Sequence, residues 1–76
     1  MIFEKVQKVI ADHLGIGEGE VTLTSKFQED LGVDSLDIFE IAMELEDEFN
    51  LEISNEDLEG IKTIGDLVEY INSKTE

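Results

Sequence analysis

Two groups of residues in this chain have types and spacing that could do chemistry. One is a hydroxyl set between carboxylates, Asp34-Ser35-Leu36-Asp37, and the other is a row of carboxylates, Glu40, Glu44 and Glu48, at i, i+4 and i+8. A serine nucleophile needs a base. Here no G-x-S-x-G elbow surrounds Ser35 and the chain holds a single histidine, His13, so serine hydrolysis has no support. His13 falls beside the apolar stripe of the first helical segment, without a partner nucleophile or acid in the pattern, and reads as an edge residue. Twenty Asp and Glu residues would gather divalent cations weakly. The Asp30 to Asp37 stretch nevertheless lacks the D-x-[DN]-x-[DN]-G-x₅-E spacing of a calcium loop. The absence of cysteine removes thiol chemistry, disulfides and Cys-based zinc or iron–sulfur sites. The expectation is a protein that is not an enzyme, with no catalytic residue and no dedicated metal site.

The chain has 76 residues, 20 acidic against five basic, for a net charge of −15, and 41% of its residues are apolar. That apolar share can form a core, so the charge describes an acidic surface rather than disorder. A compact chain of this length has a radius of gyration of roughly 11 Å and room for one domain, residues 1–76. Its stability should be modest, because small domains bury only a little over ~60% of their unfolded surface. No stretch approaches the roughly 20 apolar residues that span a bilayer, and the amino terminus has no signal-peptide pattern, so a cytoplasmic protein is expected. The scattered cations Lys5, Lys8, Lys26, Lys62 and Lys74 cannot track a phosphate backbone or an anionic membrane. A partner with a basic surface suits the charge better. Residues 27–61 carry 13 of the acidic residues and no Lys or Arg, which places the field in the middle of the chain.

The elements that must position these groups read as helices. Ile2, Phe3, Val6, Val9, Ile10 and Leu14 share one side of a 3.6-residue period, and Gly15 supplies the left-handed stop. Ile64, Leu67, Val68 and Ile71 repeat the pattern behind a Thr63 cap with Asp66 three residues on. Between Gly15 and Asp34 lies a long loop with apolar anchors at Val21, Leu23, Phe27 and Leu31 and one helical turn at 26–31 closed by Gly32. Connections of this length are often functional. Ser54 or Asn55 can cap a short helix carrying Leu58 and Ile61, interrupted near Gly60. No strand pair is indicated. The fold predicted is all-α, a small four-helix bundle of three main helices and one short one, with a long first loop.

Residues 35–49 form the most informative helix. At about 100° per residue, Ile38, Ile41, Ala42, Leu45 and Phe49 gather on one side and Asp37, Glu40, Glu44, Asp47 and Glu48 opposite. Leu36, Phe39 and Met43 fall beyond the acidic ridge, away from the core stripe, and should be partly exposed. Each like-charge i, i+4 step costs an isolated helix a few tenths of a kcal/mol, on the order of 0.2–0.5, and no lysine in the segment offsets it. A carboxylate ridge beside exposed apolar residues points to a docking surface for a basic partner, the alternative being the solvated face of a very acidic protein. At its start Asp34 can cap and Asp37 can take the third helical position, which accounts for Ser35 structurally. The charge alone also fits an acidic inhibitor or a nucleic-acid mimic that has no modifiable serine.

Glu29-Asp30-Leu31-Gly32-Val33-Asp34-Ser35-Leu36-Asp37 resembles the modification-site motif of acyl carrier proteins. Phe27 through Phe49, Ile53 with Glu56 and Asp57, and Ile64-Gly65-Asp66-Leu67 follow in the order of that family, and the length is similar to that of a free-standing carrier of bacterial type II fatty-acid synthesis. The resemblance implies that Ser35 is esterified by 4′-phosphopantetheine, taken from coenzyme A by a separate phosphopantetheinyl transferase, and that acyl groups ride on the arm as thioesters. It implies that Asp34, Leu36, Asp37, Phe39, Glu40, Met43, Glu44 and Asp47 meet basic and apolar patches on fatty-acid synthesis enzymes. It assigns Ile38, Leu45, Ile53 and Ile61 to a pocket for the acyl chain, and describes a monomer. Two features depart from the family pattern. Ile38 and Phe39 are bulkier than the Thr and Val that commonly follow the motif, and Ser54 stands where many relatives have proline.

Overall fold

The computed structural model describes residues 2–75. Four helices form in chain order: α1, Ile2–Leu14; α2, Ser35–Phe49; α3, Asn55–Gly60; and α4, Ile64–Thr75. The apolar period of each is buried as expected. Val6, Ile10 and Ala11 of α1, Ile41, Ala42 and Leu45 of α2, Leu58 of α3, and Ile64, Leu67 and Ile71 of α4 make one cluster. Removing these side chains from water is the main force holding the bundle. The radius of gyration is 11.0 Å.

Helix ends are closed by local chemistry. α1 stops where Gly15 turns left-handed (φ 70°) and Ile16 N–H returns to the Ala11 carbonyl at 3.0 Å, a Schellman closure. α2 uses Asn50 (φ 54°) in the same way, with Leu51 N–H donating to the Glu46 carbonyl. Ser54 caps α3 by accepting from Asp57 N–H, so the missing proline does not prevent that helix from starting. Ile61, expected on α3, lies just past its end. Thr63 and Asp66 exchange hydrogen bonds at the start of α4, as the capping pattern predicts.

The long first connection is ordered by what it touches. Glu18–Glu20 form a single 3₁₀ turn, a feature without a periodic signal, and Gln7 of α1 donates to the carbonyls of Glu18 and Val21. Val21, Phe27 and Val33 are buried and Leu31 is half-buried, whereas Leu23, expected as an anchor, is half exposed. Leu23 serves through its backbone instead, because its carbonyl accepts from Gly65 N–H at 2.8 Å. Beside it, Ile64 N–H donates to Ser25 and Phe27 N–H to Lys62. Among the described residues no strand forms. Lys26 and Thr63 make one antiparallel bridge, and that seam ties the loop to the start of α4. The expected turn closes at 26–31, where Asp30 and Leu31 N–H both return to Lys26, and Gly32 follows with φ 66°.

The seam depends on a close approach at Gly65, where an added Cβ would lie 3.0 Å from the Leu23 carbonyl oxygen. Gly65→Ala is expected to destabilise the fold by about 1–3 kcal/mol. Gly60→Ala, which meets nothing within 4 Å at the end of α3, should be neutral or add up to ~1 kcal/mol. Urea unfolding midpoints check both, and equal effects at the two positions would contradict the seam.

Candidate functional site

Ser35 is the first residue of α2 and is exposed. The two carboxylates flanking it in sequence are turned into the helix cap. Asp34 Oδ1 accepts from Asp37 N–H at 3.0 Å, and Asp37 Oδ2 accepts from Asp34 N–H at 3.4 Å. Ile38 N–H bonds the Asp34 carbonyl, so the N–H groups of Ser35 and Leu36 are those left at the open, electropositive end of the helix. Neither cap residue acts as a base on the serine. The site displays a hydroxyl rather than activating one.

Ser35 is among the residues lining an open groove of about 560 Å³. Phe27, Ile38, Phe39, Leu58 and Ile61 supply its apolar lining, and Lys26 and Lys62 its cations. Lys26 Nζ sits 3.3 Å from Glu29. Behind the groove lies a void of about 10 Å³ lined by Phe27, Ile38, Ile41, Ala42, Leu45, Leu58, Ile61 and Leu67. That is about the least space that holds one water molecule, on the order of 10–15 Å³. Phe27, Ile38, Leu58 and Ile61 border both spaces and are the wall between them. Of the pocket residues named from the sequence, Ile38 and Ile61 meet at this wall and Leu45 lines the inner void. Ile53 lines neither space, although it is buried in the same core cluster as Leu45 and Leu58. It borders a polar depression with Glu46, Glu52, Asp57 and Tyr70, and its N–H donates to Glu46 Oε2 at 2.7 Å. Phe27 and Leu58 were not singled out for this pocket, because each reads in sequence only as an apolar residue of a loop or short helix.

The outer face of α2 carries the exposed apolar residues expected of it. Leu36, Phe39 and Met43 are 71%, 41% and 61% exposed, and Asp34, Glu40, Glu44 and Asp47 are exposed beside them. The ridge is less uniform than the sequence implies. His13 lies against α2, its ring 16% exposed, with Nε2 at 3.4 Å from Asp37 Oδ1 and 3.5 Å from Glu40 Oε2, and Nδ1 at 3.2 Å from Glu44 Oε2. The expectation of a histidine without a partner acid is therefore corrected. The pairing joins α1 to α2, and no local spacing could announce it. Lys5 likewise approaches Glu48 at 4.0 Å and the Phe49 ring at 5.7 Å. Asp47 alone among the α2 carboxylates has no hydrogen-bond or ion-pair partner among the described residues.

On the opposite flank, Tyr70 of α4 donates to Asp57 Oδ2 of α3 at 2.6 Å. The phenol's hydrogen bond holds the Asp57 carboxyl below the usual carboxylate range. Tyr70 is raised, by partial burial first and by its bond to Asp57 second. This bond steadies α3, which borders the groove through Asn55, Leu58 and Glu59. No helix among the described residues is long and apolar enough to cross a membrane.

A family model described as the phosphopantetheine attachment site matches residues 4–71. The acyl carrier protein of Clostridium perfringens is 53% identical over 75 residues, covering 99% of each chain. Two solved structures share the fold. One, from Mycobacterium tuberculosis and described as a candidate acyl carrier protein, superposes with a TM-score of 0.91 at 35% identity, covering 97% of this chain and 99% of its own. The other, the acyl carrier protein of Enterococcus faecalis, gives a TM-score of 0.79 at 44% identity, covering 95% and 91%.

The Tyr70–Asp57 bond sets a pH dependence. A carboxyl lowered on folding contributes stability above its unfolded pKa that is lost as pH falls through the folded one. A phenol raised on folding contributes below its unfolded pKa and loses that contribution as pH rises through the folded one. The pair therefore stabilises fully between roughly pH 4 and pH 10. Unfolding midpoints across pH should show wild type above Tyr70→Phe at neutrality, with the gap closing below about pH 4. A gap that persists into strong acid would contradict the assignment.

Proposed function

The chain belongs to the acyl carrier proteins, carriers rather than catalysts that hold a phosphopantetheine prosthetic group, and from that premise we propose that the group is esterified to Ser35 and that residues 1–76 act as a single carrier domain. The observation that supports this reading is the placement of Ser35, exposed at the first turn of α2 and lining the groove. The residues fit the group. Asp34 and Asp37 spend their oxygens on the cap, the open N–H groups of Ser35 and Leu36 and the helix dipole favour an anion there, and Lys26 and Lys62 line the groove. A separate transferase would move the group from coenzyme A: the Ser35 oxygen bonds to the phosphorus next to the pantetheine as its proton leaves, and the pyrophosphate P–O bond breaks to release adenosine 3′,5′-bisphosphate. When bound, the arm supplies a thiol that carries acyl groups in thioester linkage.

Acyl chains pass from the groove into the space behind Phe27, Ile38, Leu58 and Ile61, towards Leu45. The void there is too small as it stands, so those four side chains part to admit a chain. Ile53, buried in the same core cluster as Leu45 and Leu58, is reached only if the opening extends beyond the inner void. A core in a strongly charged small domain is suited to such opening, because self-repulsion works against compactness.

Delivery runs through α2. Leu36, Phe39 and Met43 supply apolar contact, and Asp34, Asp37, Glu40, Glu44 and Asp47 supply charge, to basic patches on the transferase and on fatty-acid synthesis enzymes. Exposed charge pairs are weak and are screened beyond roughly 8–10 Å at ordinary salt, so each encounter is brief. The protein works as a cytoplasmic monomer, with no nucleic acid partner and no membrane insertion.

Incubation with coenzyme A, magnesium and a broad-specificity transferase should add one phosphopantetheine to the intact mass of wild type and nothing to Ser35→Ala. A modified Ser35→Ala protein would refute the site. Asp47→Lys, which disturbs no internal pair, should lower kcat/KM for a partner enzyme roughly two- to tenfold while leaving the unfolding midpoint unchanged. Glu44→Lys should lower both, since it also places a cation on His13. Unaltered delivery by Asp47→Lys would remove that residue from the docking face.

A further inference from the structure

His13 makes more of its surroundings than one ion pair requires. Both ring nitrogens face carboxylates, and three groups able to bind a metal, His13, Asp37 and Glu40, place one ligand atom each within 4.8 Å of one another. We propose that His13, Asp37 and Glu40 form a binding site for a borderline divalent transition ion, with Zn²⁺ as its type, joining the end of α1 to the first turns of α2, and that Glu44 is the positioning residue behind the imidazole.

The distances carry the argument. Zinc bonds of about 2.0–2.2 Å to nitrogen and oxygen, arranged as a tetrahedron, set neighbouring ligand atoms about 3.4 Å apart. His13 Nε2 already stands 3.4 Å from Asp37 Oδ1 and 3.5 Å from Glu40 Oε2, so the ring need not move, and only the two carboxylates have to close on each other. Glu44 Oε2 lies 3.2 Å from Nδ1. A carboxylate in that position favours the tautomer protonated on Nδ1, which would free for the ion the Nε2 atom that now shares a hydrogen bond with Asp37 Oδ1, the carboxylate–histidine arrangement that orients ligands in zinc sites. Asp37 is pre-set as well, because its other oxygen is held by Asp34 N–H. One nitrogen and two oxygens select zinc-like ions over Mg²⁺ and Ca²⁺, which take oxygen ligands in larger shells. Three protein ligands leave a fourth position for water. The mostly covered ring fixes the geometry, while the exposed Glu40 gives the ion a way in. A double positive charge here also relieves the carboxylate crowding along α2.

This is not the diffuse cation binding that any acidic surface shows, because it requires an imidazole from a different helix. It does not depend on modification of Ser35. The test is calorimetric titration of the untagged protein with ZnCl₂, alongside ¹H–¹⁵N spectra of the His13 ring. One saturable zinc per chain is expected, with the Nε2 resonance moving on binding and unmoved by equimolar Mg²⁺. His13→Gln should lose the saturable event, Glu44→Gln should weaken it about tenfold or more, and Ser35→Ala should bind as wild type does. Zinc bound equally by His13→Gln, or a ring resonance unmoved at saturating zinc, would overturn the site. The wild-type ring spectrum decides the matter even if a variant folds poorly. Loss of arm attachment at Ser35 would leave the zinc result unaffected.

Discussion

Six carboxylates on the fifteen residues of α2, with no cation among them, set the constraint that the rest of the structure answers. Such a helix repels itself and can persist only if its charges are relieved from outside. Almost every relief in the fold is specific. Asp37 closes the amino-terminal cap and shares His13 with Glu40 and Glu44, Glu48 meets Lys5, and Glu46 accepts from the Ile53 backbone. α1 therefore does more than bury Val6 and Ile10. It carries to α2 the lysine and the imidazole that α2 itself lacks.

That division of labour gives α2 three faces with different tasks. Its apolar stripe is spent on the core, and the carboxylates turned towards α1 are partly satisfied. Facing solvent are Leu36, Phe39 and Met43, with Asp47, unpaired among the described residues, and the still exposed Glu40 and Glu44 beside them. Large apolar side chains on an exposed strip are unfavourable for an isolated protein and useful to one that meets partners. The face of α2 that cannot be buried inside the domain is therefore the one proposed for docking.

The groove arises from a second constraint, the need to order a connection of about twenty residues whose own regular structure is a single 3₁₀ turn. The loop meets it by hydrogen-bonding to the start of α4 through Leu23, Ser25 and Phe27. Phe27 is thereby swung over Ile38, Leu58 and Ile61, so an otherwise ordinary core residue becomes part of a wall between surface and interior. α3 is short and is held through one turn of capping and the Tyr70–Asp57 bond. Few groups fix that wall from the α3 side, which is where a deformable boundary is useful.

The sequence by itself determined the four helices, their caps and the exposure of Leu36, Phe39 and Met43. Each of these follows from residues within a few positions of one another, whether by the helical period at Ile2–Leu14 and Ser35–Phe49 or by the Asp34–Asp37 and Thr63–Asp66 exchanges. The Asp-Ser-Leu motif at Ser35 was likewise local and legible. Tertiary structure alone decided which distant groups meet. His13 lies 24 positions from Asp37, so its place among three carboxylates appears only once α1 packs on α2. Leu23 looked like an anchor because it is apolar, yet its backbone carbonyl is what the seam uses. Ile53 is apolar and buried in the same core, yet it lines neither the groove nor the inner void, and its backbone N–H is held by Glu46. Side-chain hydrophobicity records a preference for burial, whereas the neighbour it is buried against is set by how the helices and the loop close on each other.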